Sequence, residues 1–237
     1  MMKIKQIDGI EVIEVCYNPN NPVASRFVFT GELKKGESHM NKRQWRVGIF
    51  LFDDVEVLDF AGPFEVFSVT ELENGHQPFV VETVSEKGNI VIACNGLKVQ
   101  PDYSFETIPR FDILIIPGGL GAKEREIHND NVMKWITDQM KTVQLMTSVC
   151  TGALLLAKAG LLNGKMATTH WVSIERLEKE FPQVEVQREV KFVDEGNVIT
   201  SGGISAGINM SFHIVKRLLG SEVARETAKI MEYDIVI

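Results

Sequence analysis

Val143-Gln144-Leu145-Met146-Thr147-Ser148-Val149-Cys150-Thr151-Gly152-Ala153-Leu154-Leu155-Leu156-Ala157-Lys158-Ala159 decides how this chain is read. The apolar run Val143 to Met146 has the character of a strand, and Ala153 to Ala159 that of a helix. Between them, Ser148 and Gly152 flank Cys150 at two residues on either side, the S-x-C-x-G form of a nucleophile elbow. Small flanking residues let the backbone turn sharply and push the thiol out towards a pocket. At the start of a helix the thiol also faces unpaired N–H groups and the positive end of the helix dipole, which predicts a bias towards thiolate. The competing reading is a small, buried, inert cysteine at a strand end.

Outward from the elbow, strand-like and helix-like stretches alternate from Arg46 onward, the signature of an α/β domain with a mostly parallel central sheet. The predicted strands are Trp45–Phe52, Phe79–Val84, Ile90–Ala93, Leu97–Val99, Asp112–Ile116 and Val143–Thr147. Helices are predicted near Pro63 and over Asn131–Lys141, Ala153–Ala159, Val172–Glu180, Ala206–Leu219 and Val223–Met231. Ile113-Leu114-Ile115-Ile116 lacks polar alternation, as a strand buried on both faces should. Ligands of open α/β sheets sit beyond the carboxyl ends of the strands. Three loops should therefore converge on one site: Asp59 to Pro63, Pro117 to Gly121, and the Cys150 elbow. A fourth stretch, Thr200-Ser201-Gly202-Gly203-Ile204-Ser205-Ala206-Gly207, could close one wall.

The 237 residues, 44% of them hydrophobic, suffice for one substantial domain, assigned to 45–237, with an extension at 1–44. In the extension, Ile10–Val15 and Ala24–Thr30 read as strands of a hairpin around the turn-rich Tyr17–Pro22, and Ser38-His39-Met40 resembles a cloning junction. A formal charge of -7 without a long basic block argues against nucleic acid as partner, and no apolar segment is long enough for a membrane. Three widely spaced cysteines, Cys16, Cys94 and Cys150, offer no disulfide framework or C-x-x-C motif, which fits a reducing cytoplasm. No histidine spacing suggests a metal.

Read together, Leu58-Asp59-Phe60-Ala61-Gly62-Pro63, Ile116-Pro117-Gly118-Gly119, Thr147 to Gly152, Ala167-Thr168-Thr169-His170-Trp171 and Thr200 to Ile208 resemble the ThiJ/PfpI superfamily, and within it the isocyanide hydratases. The resemblance runs from about Trp45 to about Tyr233. It implies a flavodoxin-like sandwich with helices on both faces, a homodimer, and no cofactor. The same block occurs in the sensing domains of regulators that carry a helix-turn-helix, for which the chain past Tyr233 leaves no room. In the protease-like branch a histidine follows the nucleophile; Thr151 stands there instead, which disfavours peptide hydrolysis.

The resemblance implies addition of water to an organic isocyanide, giving an N-substituted formamide, with Cys150 as nucleophile. Asp59 would activate water and shuttle protons. Thr151 would orient the reacting groups, and the Gly118-Gly119 turn would bind substrate, the amides of Gly119 and Thr151 meeting developing charge. A small neutral substrate suits a sequence without a conspicuous basic pocket. From the residues alone, Asp59 also suits a helix cap, Gly118 and Gly119 a plain tight turn, and His170 a structural histidine. Glu65, one turn beyond Ala61, is a second acid that could face the elbow. Carbonyl chemistry of the glyoxalase type on the same thiolate, and a ligand or redox sensor without turnover, are the other functions this pattern allows.

Overall fold

The structure is a computed structural model that describes residues 2–7, 10–15 and 44–235. Two compact units are present, Met1–Asn41 and Lys42–Ile237. In the first, β1 (Met2–Ile7) and β2 (Ile10–Val15) pair antiparallel, with Ile7 opposite Ile10. Ile10–Val15 thus pairs with Met2–Ile7. Residues 17–22, 24–30 and 38–40 lie outside the described residues.

The second unit opens with β3 (Trp45–Phe50), α1 (Val57–Val69) and β4 (Phe79–Ser85). A small antiparallel pair, β5 (Val91–Ile92) and β6 (Lys98–Val99), precedes β7 (Tyr103–Ser104). Then come β8 (Ile113–Ile116), α2 (Leu120–Glu124), α3 (Asp130–Met140), β9 (Leu145–Val149) and α4 (Gly152–Lys158). The parallel pair β10 (Met166–Ala167) and β11 (Glu185–Val186) brackets α5 (Ile174–Glu180). The chain finishes with the hairpin β12 (Phe192–Asp194) and β13 (Val198–Ser201), then α6 (Ala206–Leu219) and α7 (Ser221–Ile230).

Seven strands form the central sheet in the order β12-β13-β9-β8-β3-β4-β7. All neighbours pair parallel except the edge strand β12. Every residue of β8 and β9 is buried, which accounts for the unbroken apolar run of β8, while β9 buries Thr147 and Ser148 along with its apolar residues. Helices cover both faces: α1 packs on β3 and β4 beside α6 and α7, while α4 packs on β8 and β9 beside α2 and α3. From β3 the chain runs first to β4 on one side and later to β8 on the other. That reversal opens a crevice at the carboxyl ends of β3 and β8.

The first helix departs from expectation. It begins at Val57, not near Pro63, and carries Pro63 in its interior. Proline there removes one backbone hydrogen bond. Tertiary contacts outweigh that loss: the Glu56 amide donates to the Gly118 carbonyl at 2.9 Å, and Asp59, Phe60, Gly62, Pro63, Val66 and Phe67 form the buried stripe. Asp59 is therefore inside the first turn and does not cap the helix.

Candidate active site

Cys150 occupies the turn between β9 and α4 with φ of 56°, in the left-handed region. For a residue with a Cβ such a conformation costs about 1–3 kcal/mol and persists only where its surroundings hold it. Here they do. The Cys150 amide donates to the carbonyls of Ser201 and Gly202 at 3.2 and 3.1 Å, and the Thr169 hydroxyl donates to the Cys150 carbonyl at 2.7 Å. The ends of β13 and the segment after β10 thus fix the elbow.

Behind the thiol lies Asp59, fully buried. Its Oδ2 accepts from the Gly118 amide at 3.0 Å and its Oδ1 from the Ile204 amide at 3.1 Å, and it acts on the neighbouring Cys150 thiol. Burial pushes the Asp59 carboxyl up to about 7, against the pull of the Gly118 amide, the Cys150 thiol and the Ile204 amide. Burial also raises the Cys150 thiol, the charge of Asp59 adds to the rise, and the Thr151 amide and hydroxyl work the other way. The expected thiolate bias at the helix start is thus outweighed: α4 has only seven residues, and the sulfur is buried beside an acid. Asp59 and Cys150 form one coupled pair in which a second negative charge is resisted.

Thr151 locks onto the neighbouring loop. Its hydroxyl accepts from the Gly119 amide at 3.0 Å and lies 3.2 Å from the Gly119 carbonyl, to which it can donate. A Cβ on Gly118 would fall 2.5 Å from both the amide nitrogen and the hydroxyl of Thr151, so only glycine permits this approach. Both glycine amides are therefore engaged, Gly118 by Asp59 and Gly119 by Thr151. Such engagement leaves neither free to meet charge on a substrate in this arrangement.

In front of the sulfur is a cavity of about 380 Å³. Cys150, Thr151, Gly119 and His170 line it; Gly118 and Asp59 stand behind the wall. His170 is half-buried, and its Nδ1 accepts from the Val172 amide at 3.4 Å. Its pKa is lowered, by burial first and then by Lys123, with Glu56 opposing. No group of three or more His, Cys, Asp or Glu side chains among the described residues could hold a metal ion.

Residues 45–217 match the DJ-1/PfpI family. The chain belongs to the DJ-1/PfpI family. An isonitrile hydratase of Pseudomonas putida is 33% identical over 189 residues, covering 79% of this chain and 78% of that protein. The transcriptional regulator GbdR of Pseudomonas aeruginosa is 27% identical over 84% of this chain, which spans 53% of the regulator's length. Among solved structures, a ThiJ/PfpI family protein from Pseudomonas syringae superimposes with a TM-score of 0.73 at 25% identity, over 92% of this chain and 85% of that one.

Within this DJ-1/PfpI site the fold brings together Cys150, Asp59, Thr151, Gly118, Gly119 and His170, but not Glu65. Glu65 lies on the exposed side of α1, between the buried positions Gly62, Pro63 and Val66, and does not line the cavity. Sequence reasoning missed Glu56, Cys94, Leu120, Lys123 and Val172, which also line it, and the part of Ile204. Ile204 has φ of 57°, unfavourable for a β-branched residue, and its amide holds Asp59. The paired glycines before it were the available signal.

Proposed function

We propose that this DJ-1/PfpI chain is an enzyme that hydrates an organic isocyanide, R–NC, to the formamide R–NH–CHO. The observation that carries the reading is the buried Asp59, held by two backbone amides against the Cys150 thiol while Thr151 joins the elbow to the Gly118-Gly119 loop. Identity to an isonitrile hydratase supports it.

With a carboxyl at about 7, Asp59 can both take and return a proton near neutral pH. It accepts the thiol proton as Sγ attacks the terminal carbon, and returns that proton to the same carbon. One S–H bond is broken, S–C and C–H bonds form, and the product is the thioimidate R–N=CH–S–Cys150. Proton transfer concerted with attack removes the need for a standing thiolate beside a charged carboxylate. Water then adds to that carbon; Asp59 removes one of its protons and the nitrogen gains one, giving R–NH–CH(OH)–S–Cys150. The hydroxyl proton passes through Asp59 to the sulfur as the C–S bond breaks. Formamide leaves and the thiol is restored, with one water consumed.

Gly118 and Ile204 position Asp59, and Thr151 positions the loop that carries Gly118. The test is steady-state conversion of an aryl isocyanide, with the formamide identified by mass, by wild type, Cys150→Ala and Asp59→Asn. Formamide from wild type, none from Cys150→Ala and far less from Asp59→Asn is the expected pattern. Turnover of an aldehyde in place of the isocyanide would support carbonyl chemistry, and absence of any turnover a sensing role.

A further inference from the structure

The cavity in front of Cys150 is lined by a cation with no carboxylate partner among the described residues. Lys123, on α2, is half-buried and lines the cavity, and no carboxylate pairs with its Nζ among the described residues. Its backbone is fixed, since Arg176 Nη1 donates to the Lys123 carbonyl at 3.1 Å. Lys123 and His170 line the same cavity. His170 Nδ1 is an acceptor for the Val172 amide, which puts the proton of the neutral ring on Nε2 and makes that atom a donor. Leu120, Val172 and Ile204 supply apolar wall beside them. Glu56 lines the same cavity without pairing with Lys123. Lys123 attracts a carboxylate into this cavity, and Glu56, whose charge also reaches His170, opposes it.

We propose that the substrate is an isocyanide bearing a carboxylate, with the carboxylate held by Lys123 Nζ and His170 Nε2–H while the isocyano carbon faces Cys150 Sγ. The proposal rests on the hydration chemistry above and specifies its substrate class. An ammonium donating to a carboxylate in a partly apolar cavity makes a short, charge-assisted hydrogen bond, and a half-buried lysine supplies it at little further desolvation. The sequence pointed to a neutral substrate because it has no basic run; a single lysine brought in by a short helix changes that expectation.

The test compares kcat/KM for isocyanoacetate and for methyl isocyanoacetate, which share the reacting group and differ in charge. Wild type should prefer the acid by about tenfold or more. In Lys123→Met the acid-to-ester ratio should fall by about tenfold or more, whereas Lys123→Arg, which keeps the charge, should retain most of the preference. An ester used as well as the acid by wild type, or a ratio unmoved in Lys123→Met, overturns the carboxylate proposal and leaves isocyanide hydration standing. Turnover of neither compound while an aryl isocyanide is still hydrated overturns the carboxylate proposal alone, and hydration of none of the three overturns both. The wild-type ratio decides even where Lys123→Met fails to fold.

Discussion

Replacing Asp59 with Asn should remove a pH-dependent penalty that the native fold carries. The carboxyl is raised to about 7 in the folded protein, while in the unfolded chain it titrates near its ordinary value of about 4. Between those two values the native state binds more protons than the unfolded state, so the contribution of this group to stability falls as pH rises. At about 1.4 kcal/mol per pH unit the full penalty is about 4 kcal/mol, reached above about pH 7. Between about pH 5 and about pH 8, wild type should therefore lose about 3 kcal/mol relative to Asp59→Asn. Superimposed on this is a pH-independent cost in the variant. Asp59 accepts from two amides, Gly118 and Ile204, whereas asparagine has one carbonyl oxygen and leaves one donor unpaired, at about 1–3 kcal/mol. Urea denaturation of both proteins across that pH range separates the two contributions: the offset is constant and the slope belongs to the carboxyl. A difference between the proteins that stays flat with pH, within about 0.5 kcal/mol, would refute a raised, buried Asp59.

Two further substitutions test how the site is held. Gly118→Ala places a Cβ 2.5 Å from the Thr151 amide and hydroxyl, so it should destabilise by about 2 kcal/mol in urea titration and reduce turnover by more than about tenfold as Asp59 is displaced. Thr151→Val removes the hydroxyl that bridges the Gly119 amide and carbonyl. It should cost about 1–3 kcal/mol by the same titration, and Thr151→Ser should recover most of it.

In the central sheet β3, β4, β8 and β9 were legible because they are short apolar runs with clear ends, whereas the two-residue β7 and the edge strand β12 were not. Ile113–Ile116 is the clearest case, since burial on both faces leaves no polar position in it. The elbow was legible for a local reason too, as small residues around Cys150 mark a sharp turn whichever way the chain folds around it. The start of α1 was not. Pro63 is a good local signal for a first turn, but the Glu56 amide finds its acceptor on Gly118, a contact that only the folded chain provides. Glu65 was misjudged for the same reason, since the inward stripe of α1 can be counted only once the helix is known to start at Val57. Ile204 and Asp59 stand 145 positions apart in sequence, and Lys123 reaches the cavity from a five-residue helix too short to leave a periodic pattern.

Whether the isocyanide carbon bonds to Cys150 can be seen on the protein itself. Wild type mixed with excess aryl isocyanide, quenched within the first turnovers and measured by intact mass and peptide mapping, should carry an adduct of one whole isocyanide on the peptide containing Cys150, absent in Cys150→Ala. Formamide produced without such an adduct, or an adduct on Cys94 in its place, would show that hydration does not run through the elbow thiol.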